Sequence, residues 1–262
     1  MVLTPEERGF IAEYVRQHNL PHINETQKPV VPKDSFYVRY VKRILDIVMS
    51  LLGIVVTLPV NLVIGIITYF DVGRPLFFIQ TRPGKDCKPF KIIKFRNMRD
   101  AVDANGFWLP ISERVTKFGS FVRRTSLDEL LNFYSILKGD MSVIGPRPLA
   151  TLYVERYSNR HKARHALRPG LECPNLARHG YSVGWHEHFE NDIWYVENVT
   201  FWVDLKMFLL LFPMVVESRI RREHAVRGSG DFIGYDEDGR AFGAYGVPEK
   251  YLEMVRQRRE KQ

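Results

Sequence analysis

The longest uncharged stretch of the sequence extends from Ile47 to Phe70 and reads IVMSLLGIVVTLPVNLVIGIITYF. At about 1.5 Å per residue, these 24 residues would form roughly 36 Å of α-helix, enough to cross the hydrocarbon core of a bilayer. Buried helices of soluble proteins are rarely so long and so uniformly apolar. The stretch therefore predicts a helix inserted in a membrane, around which the rest of the chain must be arranged.

Pro59 lies at the midpoint of this stretch, with Asn61 close behind it. A proline inside a helix removes a backbone donor and clashes with the preceding turn, so we expect a bend or break there. Basic residues flank both ends, and the positive-inside rule places such residues on the cytoplasmic face. These features favour a re-entrant helix-break-helix hairpin over residues 37–72, and a single kinked span is the alternative. The flanking basic residues are Lys33, Arg39, Lys42 and Arg43 before the stretch, and Arg74, Arg82, Lys85, Lys88, Lys91, Lys94, Arg96 and Arg99 after it.

A second apolar segment occupies residues 201–222. Its longest uninterrupted apolar run, Met207–Val216, has ten residues and is too short to span a membrane. Basic residues beside the run are typical of an amphipathic helix that lies on anionic lipid. A buried core helix fits the same pattern equally well. The basic residues are Lys206, Arg219, Arg221 and Arg222.

The composition is that of a globular protein, with 45% hydrophobic and 26% charged residues. The formal net charge of +8 indicates an acidic partner, which could be nucleic acid, an anionic membrane surface or a phosphorylated small molecule. No nucleic-acid-binding motif accompanies this charge, so we expect no nucleic-acid partner. Cys87 and Cys173 are isolated, which argues against a disulfide framework or a cysteine zinc site and favours a reducing cytosolic setting. The N-terminal residues lack the pattern of a signal peptide and open a polar helix with a capping box at Thr4 and Glu7.

The remaining sequence predicts an α+β, mostly helical fold with a small soluble domain, a re-entrant membrane hairpin and amphipathic interfacial helices. Residues 76–98 alternate β-like runs with turn signals and predict a β-hairpin, whereas residues 117–138 and 151–166 have helical spacing. We expect four parts: a polar N-terminal extension (1–36), the membrane hairpin (37–72), the cytosolic domain with interfacial helices (73–222) and a Gly-rich, charged C-terminal extension (223–262).

The stretch SLDELLNFYSILKG, residues 126–139, has the features of a capped helix. Ser126 is a favourable N-cap and Glu129 follows at the spacing of a capping box. Apolar residues then recur at helical spacing until a glycine stop. On this pattern alone, Asp128 and Glu129 simply complement the dipole of a helix N-terminus.

The neighbouring charges indicate a second interpretation of the same stretch. Asp128 in the first turn of a helix would be kept ionised, and an ionised carboxylate can act as a nucleophile or bind a hard cation. Arg123 and Arg124 precede it, and Arg147 follows between two prolines that restrict its backbone. Acids that hold a divalent cation beside arginines that hold phosphate are the combination that phosphoryl transfer requires.

Five ordered motifs lie within a region of roughly residues 37–216: KRILDIVMSLLGIVVTLP, FIQTRPG, FKIIKFRNM, RVTKFGSFVRRTSLDELLNFYSILKGDMSVIGPRPL and WYVENVTFWVDLK. Their sequences and order resemble the bacterial sugar transferase family, the monotopic polyprenyl-phosphate phosphoglycosyl transferases. The resemblance implies that the cytosolic domain is catalytic and acts at the cytoplasmic face of the bacterial inner membrane. Homo-oligomers are compatible with it.

The resemblance also implies a reaction, the transfer of a sugar 1-phosphate from a nucleotide-diphosphate sugar, usually a UDP-sugar, to a polyprenyl phosphate. Asp128 would be the nucleophile and form a covalent phosphosugar-aspartate, and Glu129 would be the partner acid that helps activate the lipid phosphate. Mg²⁺ would bind against Asp128 and the diphosphate. Arg123 would face the lipid phosphate, with Lys94 and Arg147 as further phosphate ligands. The product would initiate a lipid-linked glycan, as in exopolysaccharide, O-antigen, capsule or glycoprotein synthesis.

The sequence departs from the family pattern in two places. Leu58 stands where the family has a serine before the hairpin proline, and Thr57 could supply a helix-bending hydroxyl bond instead. Residues 171–185, LECPNLARHGYSVGW, differ from the family's usual ITGWAQVNGRN-like segment, so the donor sugar is open. The alternative from another functional class is a non-catalytic membrane-surface scaffold of the same fold that binds lipid phosphate or partner enzymes.

Two histidine patterns are candidates for metal sites. His161 and His165 have the i, i+4 spacing of two zinc ligands on a helix, but the glutamate of a zinc-protease motif and a third ligand are missing from the pattern. A solvated basic helix face is the favoured interpretation there. The same holds for the His186–Glu187–His188 triplet.

Overall fold

The structure is a computed structural model that describes residues 2–103, 106–176, 184–216 and 230–260. Over these ranges the fold is α+β and mostly helical, as predicted, with three small two-stranded sheets. The helices are α1 (Pro5–His18), α2 (Leu20–Thr26), α3 (Lys42–Asp71), α4 (Ile111–Arg114), α5 (Lys117–Thr125), α6 (Asn132–Lys138), α7 (Asn159–Lys162), α8 (Trp185–Asn198), α9 (Phe201–Val216) and α10 (Glu249–Glu260). The strands are β1 (Phe77–Pro83), β2 (Pro89–Phe95), β3 (Ser142–Ile144), β4 (Gly170–Glu172), β5 (Phe232–Tyr235) and β6 (Ala241–Gly243).

Helix α3 is continuous and passes through Pro59. The prediction of two helices separated by a break is therefore wrong at the level of secondary structure, because one helix covers both halves. The predicted hydroxyl bond of Thr57 is confirmed: its Oγ1 donates to the Gly53 carbonyl at 2.7 Å, and Asn61 Nδ2 donates to Thr57 Oγ1 at 3.2 Å. A hydroxyl bond to the carbonyl four residues earlier favours bending of a helix.

Both ends of α3 are held by the same globular body. At its start, Lys42 Nζ donates to the carbonyl of Ile144 at 3.0 Å. At its end, Arg99 Nε donates to the carbonyl of Asp71 at 3.0 Å. A straight helix of 30 residues would be about 45 Å long, so these two contacts lie far apart along it.

Most apolar side chains of α3 have no protein cover. Val56 and Phe70 are 72% and 81% exposed. With the π-helical turn that precedes it, this helix spans Tyr37–Asp71, and it is the one helix in the described ranges with the length and apolarity to cross a bilayer. Exposed apolar surface of this extent marks a contact with lipid or protein, and α3 is a candidate membrane segment.

The β-hairpin predicted for residues 76–98 is confirmed. Strands β1 and β2 pair antiparallel, with Phe77 opposite Phe95 and Pro83 opposite Pro89, around a short 3-10 turn. Strands β3 and β4 pair in parallel, and Ile144 lies opposite Glu172. The segments that follow β2 and β3 meet at the cleft described below.

The helix predicted for residues 117–138 is interrupted, and the capping box at Ser126 is wrong. Helix α5 ends before Ser126, whose φ of +57° lies in the left-handed region and whose side chain makes no capping bond. A 3-10 turn, Leu127–Glu129, follows, and α6 begins only at Asn132. Residues 151–166 are also broken, into two 3-10 segments and the four-residue α7.

Helix α9 has one buried and one exposed face. Met207 is fully buried in the central core, whereas Trp202 and Phe212 are 67% and 58% exposed. The prediction of a buried core helix thus describes one face of α9, and the prediction of a surface helix describes the other. Contact of the exposed face with lipid stays a prediction. Its basic residues Arg219, Arg221 and Arg222 lie outside the described residues.

The first and last described segments pack together. The predicted capping box of α1 is confirmed, since Thr4 N donates to Glu7 Oε2 at 2.8 Å and Glu7 N donates to Thr4 Oγ1 at 3.3 Å. Helix α1 then packs on the β5–β6 hairpin and α10 through a core that includes Ile11, Ile233 and Tyr251. We call this unit, residues 2–36 and 230–260, the terminal body.

Candidate active site

A cleft of about 670 Å³ opens where the end of β2, the 3-10 turn Leu127–Glu129 and the loop after β3 meet. Its volume is within the usual range for small-molecule sites. All five residues that were predicted from the sequence to bind substrate or take part in the chemistry line this cleft: Lys94, Arg123, Asp128, Glu129 and Arg147. Their roles stay predictions, but the fold places all five side chains around one cleft. Pro59, the predicted break in the membrane segment, belongs to α3 and not to the cleft.

Backbone geometry brings these groups together. The left-handed turn at Ser126 ends α5, and the following 3-10 turn directs two adjacent acids towards the cleft. On the opposite side, β3 and β4 approach so closely that a Cβ on Gly170 would lie 2.2 Å from Gly145 N. A glycine is therefore required at position 170, and the close pairing sets Arg147 beside Glu172.

Asp128 is a buried acid with an open environment on one side. It is 7% exposed, and Asn97 Nδ2 donates to its Oδ2 over a long 3.4 Å. Burial raises the pKa of Asp128 above its usual range, Lys94 opposes this effect and the charge of Glu129 adds to it. The helix-dipole stabilisation predicted for Asp128 is wrong, because the residue lies in a 3-10 turn and not in the first turn of an α-helix.

The pKa of Glu129 is shifted in the opposite direction to that of Asp128. Its Oε1 accepts hydrogen bonds from Lys94 Nζ at 2.7 Å and from Arg147 NH2 at 2.5 Å. Although burial acts to raise the pKa of Glu129, the charges of Arg147 and Lys94 outweigh it and hold the pKa below its usual range. Glu129 is therefore a carboxylate that organises two cations.

Arg147 is fixed from several sides. Besides Glu129, its NH1 donates to Glu172 Oε2 and to the carbonyl of Leu171, both at 3.2 Å. The carboxylate of Glu129 raises the pKa of Arg147, so the guanidinium stays charged. The flanking prolines restrict the backbone, but these acids hold the guanidinium.

Further basic side chains form the rim of the cleft. Arg123 is exposed and lies close to Asp128. Its charge acts to lower the pKa of Asp128, against the larger effect of burial. Arg96, Arg114 and Arg124 also line the cleft. A rim of this charge attracts phosphorylated ligands.

The sequence interpretation missed several residues of the cleft. Asn97 lies within the FKIIKFRNM motif, but only Lys94 was selected there. Glu172 lies where the chain departs from the family pattern, and nothing local marks it as the partner of Arg147. Trp185 and His188 enter from α8 and also line the cleft.

The histidines weighed as zinc ligands are structural. His161 is fully buried, with Nδ1 at 2.9 Å from Tyr235 Oη and Nε2 at 2.8 Å from Glu190 Oε1. His165 is 5% exposed, and its Nδ1 lies 3.1 Å from the carbonyl of Gly84. The predicted solvated helix face is wrong, because both rings are enclosed by residues distant in sequence.

The cleft offers few ligands for a metal ion. In the described parts of the chain, no group of three or more His, Cys, Asp or Glu side chains could hold one. Mg²⁺ usually keeps several waters and is bound by one or two carboxylates together with substrate phosphates. Asp128, with the amide of Asn97 beside it, fits such an ion when a diphosphate supplies the remaining ligands.

Comparison with known proteins supports the family resemblance. The profile of the bacterial sugar transferase family matches residues 37–218. The chain is 36% identical over 196 residues to the uncharacterized sugar transferase EpsL of Bacillus subtilis, covering 72% of this chain and 97% of that protein.

Two longer relatives have named reactions. The UDP-N-acetylgalactosamine-undecaprenyl-phosphate N-acetylgalactosaminephosphotransferase of Aeromonas hydrophila is 31% identical over 75% of this chain and 47% of that protein. The UDP-glucose:undecaprenyl-phosphate glucose-1-phosphate transferase of Escherichia coli is 35% identical over 66% of this chain and 40% of that protein. The chain thus spans less than half the length of these two relatives. The profile match and the identity to EpsL show that the chain belongs to the bacterial sugar transferase family of enzymes.

Proposed function

We propose that this enzyme transfers a sugar 1-phosphate from a UDP-sugar to a polyprenyl phosphate through a covalent intermediate on Asp128, and so initiates a lipid-linked glycan. The observation that carries the proposal is the contrast between two adjacent acids in a basic cleft. Glu129 is bonded to two cations, whereas the neighbouring Asp128 has a raised pKa and a long hydrogen bond from Asn97. The names of the Aeromonas and Escherichia relatives state the same class of reaction.

In the first step, an Oδ atom of Asp128 attacks the phosphorus that bears the sugar. A P–O bond forms to the carboxylate, and the P–O bond to the nucleoside monophosphate breaks. In the second step, an oxygen of the polyprenyl phosphate attacks the same phosphorus and the Asp128 carboxylate leaves. Two successive displacements of this kind give ping-pong kinetics.

The cations of the cleft address the main barrier, which is repulsion between a carboxylate and a diphosphate. We assign Lys94, Arg123 and Arg147 to the phosphates, where their charges offset the charge that builds up during transfer. When bound, Mg²⁺ would supply further charge neutralisation against Asp128. A low pKa makes Glu129 a weak base, so we assign it to holding Lys94 and Arg147 in position.

For the membrane, we propose that α3 enters and leaves the cytoplasmic leaflet and does not cross the bilayer. A spanning helix would separate its ends by a hydrocarbon layer of about 30 Å. Both ends of α3 instead bond to one globular body, through Lys42 and Arg99. Its exposed apolar side chains and the Thr57 bond near Pro59 are compatible with a bent helix within one leaflet.

Cysteine labelling tests this topology. Lys33→Cys and Arg74→Cys place thiols on exposed side chains before and after the helix, in a Cys87→Ser background. In sealed inside-out vesicles, a membrane-impermeant maleimide should label both positions. If one position were labelled only from the cytoplasmic face and the other only from the opposite face, the re-entrant topology would be contradicted.

A donor screen tests the reaction. The purified protein in lipid nanodiscs with polyprenyl phosphate and Mg²⁺ is given a panel of UDP-sugars, and release of UMP and formation of sugar-diphosphate lipid are measured. At least one donor should give both products in equal amounts. Tight binding of polyprenyl phosphate with no product from any donor would favour the non-catalytic scaffold.

A further inference from the structure

A second cavity of about 310 Å³ adjoins the cleft and extends towards the terminal body. The two spaces share part of their lining, so they lie next to each other. Tyr153 and Asp231 line the smaller cavity but not the larger cleft. Asp231 lies beyond residues 37–218, the range matched by the family profile. The shared lining residues are Arg82, Lys94, Glu129, Arg147, Leu149 and Trp185.

Trp185 lines both spaces, and the terminal body holds it. Its Nε1 donates to the carbonyl of Gly230 at 3.0 Å. Gly230 has a φ of +64°, and a Cβ there would lie 2.9 Å from the Cβ of Ala244. A glycine is thus needed at position 230 for this carbonyl to reach the indole.

Asp231 is positioned by Arg8 and Tyr153 and remains accessible. Its Oδ2 pairs with Arg8 NH1 at 2.6 Å, and Tyr153 Oη lies 3.4 Å from its Oδ1. The Asp231 side chain is nevertheless 63% exposed. The next residue, Phe232, is fully buried against Tyr153 and Trp185, which fixes the backbone on which the acid sits.

We propose that this smaller cavity binds the sugar ring of the donor, with Asp231 accepting hydrogen bonds from sugar hydroxyl or amide groups and Trp185 and Tyr153 forming the apolar wall. The inference rests on the proposed function, since it assigns one part of the proposed donor. It makes the terminal body a part of the substrate site that sets which sugar is accepted.

The chemistry of the cavity fits a sugar better than it fits the nucleotide. In the proposed reaction, the sugar stays on the phosphorus attached to Asp128 while the nucleotide leaves. Asp128 lines the larger cleft together with arginines that suit the charged nucleotide, whereas the smaller cavity borders Lys94 and Glu129 next to that acid and adds Tyr153 and Asp231. A carboxylate can accept hydrogen bonds from the hydroxyl groups of a sugar. Aromatic side chains beside it can pack against the apolar face of the sugar ring.

Binding measurements on the full chain in nanodiscs test the assignment. Calorimetry gives the Kd for UDP and for UDP-glucose, UDP-galactose and their N-acetylamino counterparts. The variant Asp231→Asn should lower the ratio of affinities between preferred and non-preferred sugars by about tenfold and leave the Kd for UDP within about twofold. The exposed Glu253→Gln, also in the terminal body, is the matched control and should change neither quantity.

A second variant separates loss of the acid from loss of its support. Arg8→Gln removes the ion pair but keeps the Asp231 carboxylate, so the preference among sugars should be largely retained. The sugar-site assignment would be overturned if Asp231→Asn kept the wild-type preference among sugars, or if it lost affinity for UDP as much as for UDP-sugars. Release of UMP by the wild-type protein would in that case still support the proposed reaction. If the wild-type protein bound no uridine nucleotide, the proposed function itself would fail, and this inference with it.

Discussion

Two sets of ionic groups in this protein both pair basic with acidic side chains but differ in their surroundings. In the cluster beneath the cleft, Arg164 NH2 pairs with Asp192 Oδ2 at 2.6 Å, and the two side chains are 1% and 0% exposed. In the cleft cluster, the side chains of Lys94, Glu129 and Arg147 are 27%, 17% and 38% exposed. The first cluster is closed to solvent, whereas the second opens onto a cavity.

The difference separates a structural from a chemical use of charge. A buried pair that closes on itself fixes the fold, because removing one partner leaves an uncompensated charge. Charges that open onto a cleft, next to an acid whose pKa is perturbed, are available to a ligand. The two clusters are connected, since Arg164 NH2 also donates to the carbonyl of Arg147 at 2.9 Å.

Asp128→Asn should give the largest effect and break only the chemical side of the comparison. Loss of a nucleophile should lower the rate of sugar-phosphate transfer by at least about 10⁴-fold. The fold should be kept, because the change removes a buried charge whose pKa is raised by burial. UMP release and thermal unfolding, measured on the same preparation, check both parts, and a lower Tm would contradict this account of Asp128.

Asp192→Asn should break the structural side. The guanidinium of Arg164 would be left buried without its counter-charge, which costs about 3–5 kcal/mol of unfolding free energy. Denaturant unfolding of the purified protein measures this loss. The exposed Asp238→Asn, in the turn between β5 and β6, is a control that should change the unfolding free energy much less.

Glu129→Gln should have an intermediate effect and sharpen the comparison, because this acid organises cations in the open cluster. Lys94 and Arg147 would lose the charge that holds them together, and kcat/KM should fall by about 10²-fold. Steady-state kinetics with the preferred donor give this value. A loss as large as that of Asp128→Asn would instead indicate that Glu129 takes part in the bond changes.

The pH dependence should show the smallest effect, with opposite signs for the two adjacent acids. The folded state raises the pKa of Asp128, so its contribution to stability is present below the unfolded pKa and is lost as pH rises through the folded value. For Glu129 the pKa is lowered, so stability is present above the unfolded pKa and is lost as pH falls through the folded value. Relative to wild type, Asp128→Asn should therefore gain stability as pH rises and Glu129→Gln should lose it, as measured by thermal unfolding between about pH 4 and 8.

Local patterns predicted part of the fold and of the site. The apolar stretch of α3 and the β1–β2 hairpin follow from hydrophobicity and turn residues close in sequence. Four of the five cleft residues were indicated by charges close together in the sequence, and Lys94 by the resemblance to the family. Ser126 was misjudged because a serine before two acids usually begins a helix, whereas here cations from β2 and from the loop after β3 hold Glu129 and a left-handed turn replaces the cap.

Long-range contacts explain the remaining errors. His161 was expected in solvent, but Glu190 and Tyr235, 29 and 74 residues away, enclose it. Trp185 meets Gly230 across 45 residues, a contact that no local spacing indicates. Such contacts depend on how the terminal body packs, which a search for motifs does not address.

The most direct test of the account is the mass of the protein after brief incubation with its preferred UDP-sugar and Mg²⁺ in the absence of polyprenyl phosphate. The mass should increase by one sugar phosphate, and the added group should be located on the peptide that contains Asp128. It should be lost on addition of polyprenyl phosphate and be absent in Asp128→Asn. UMP release without an adduct on that peptide, or an adduct that persists in Asp128→Asn, would contradict it.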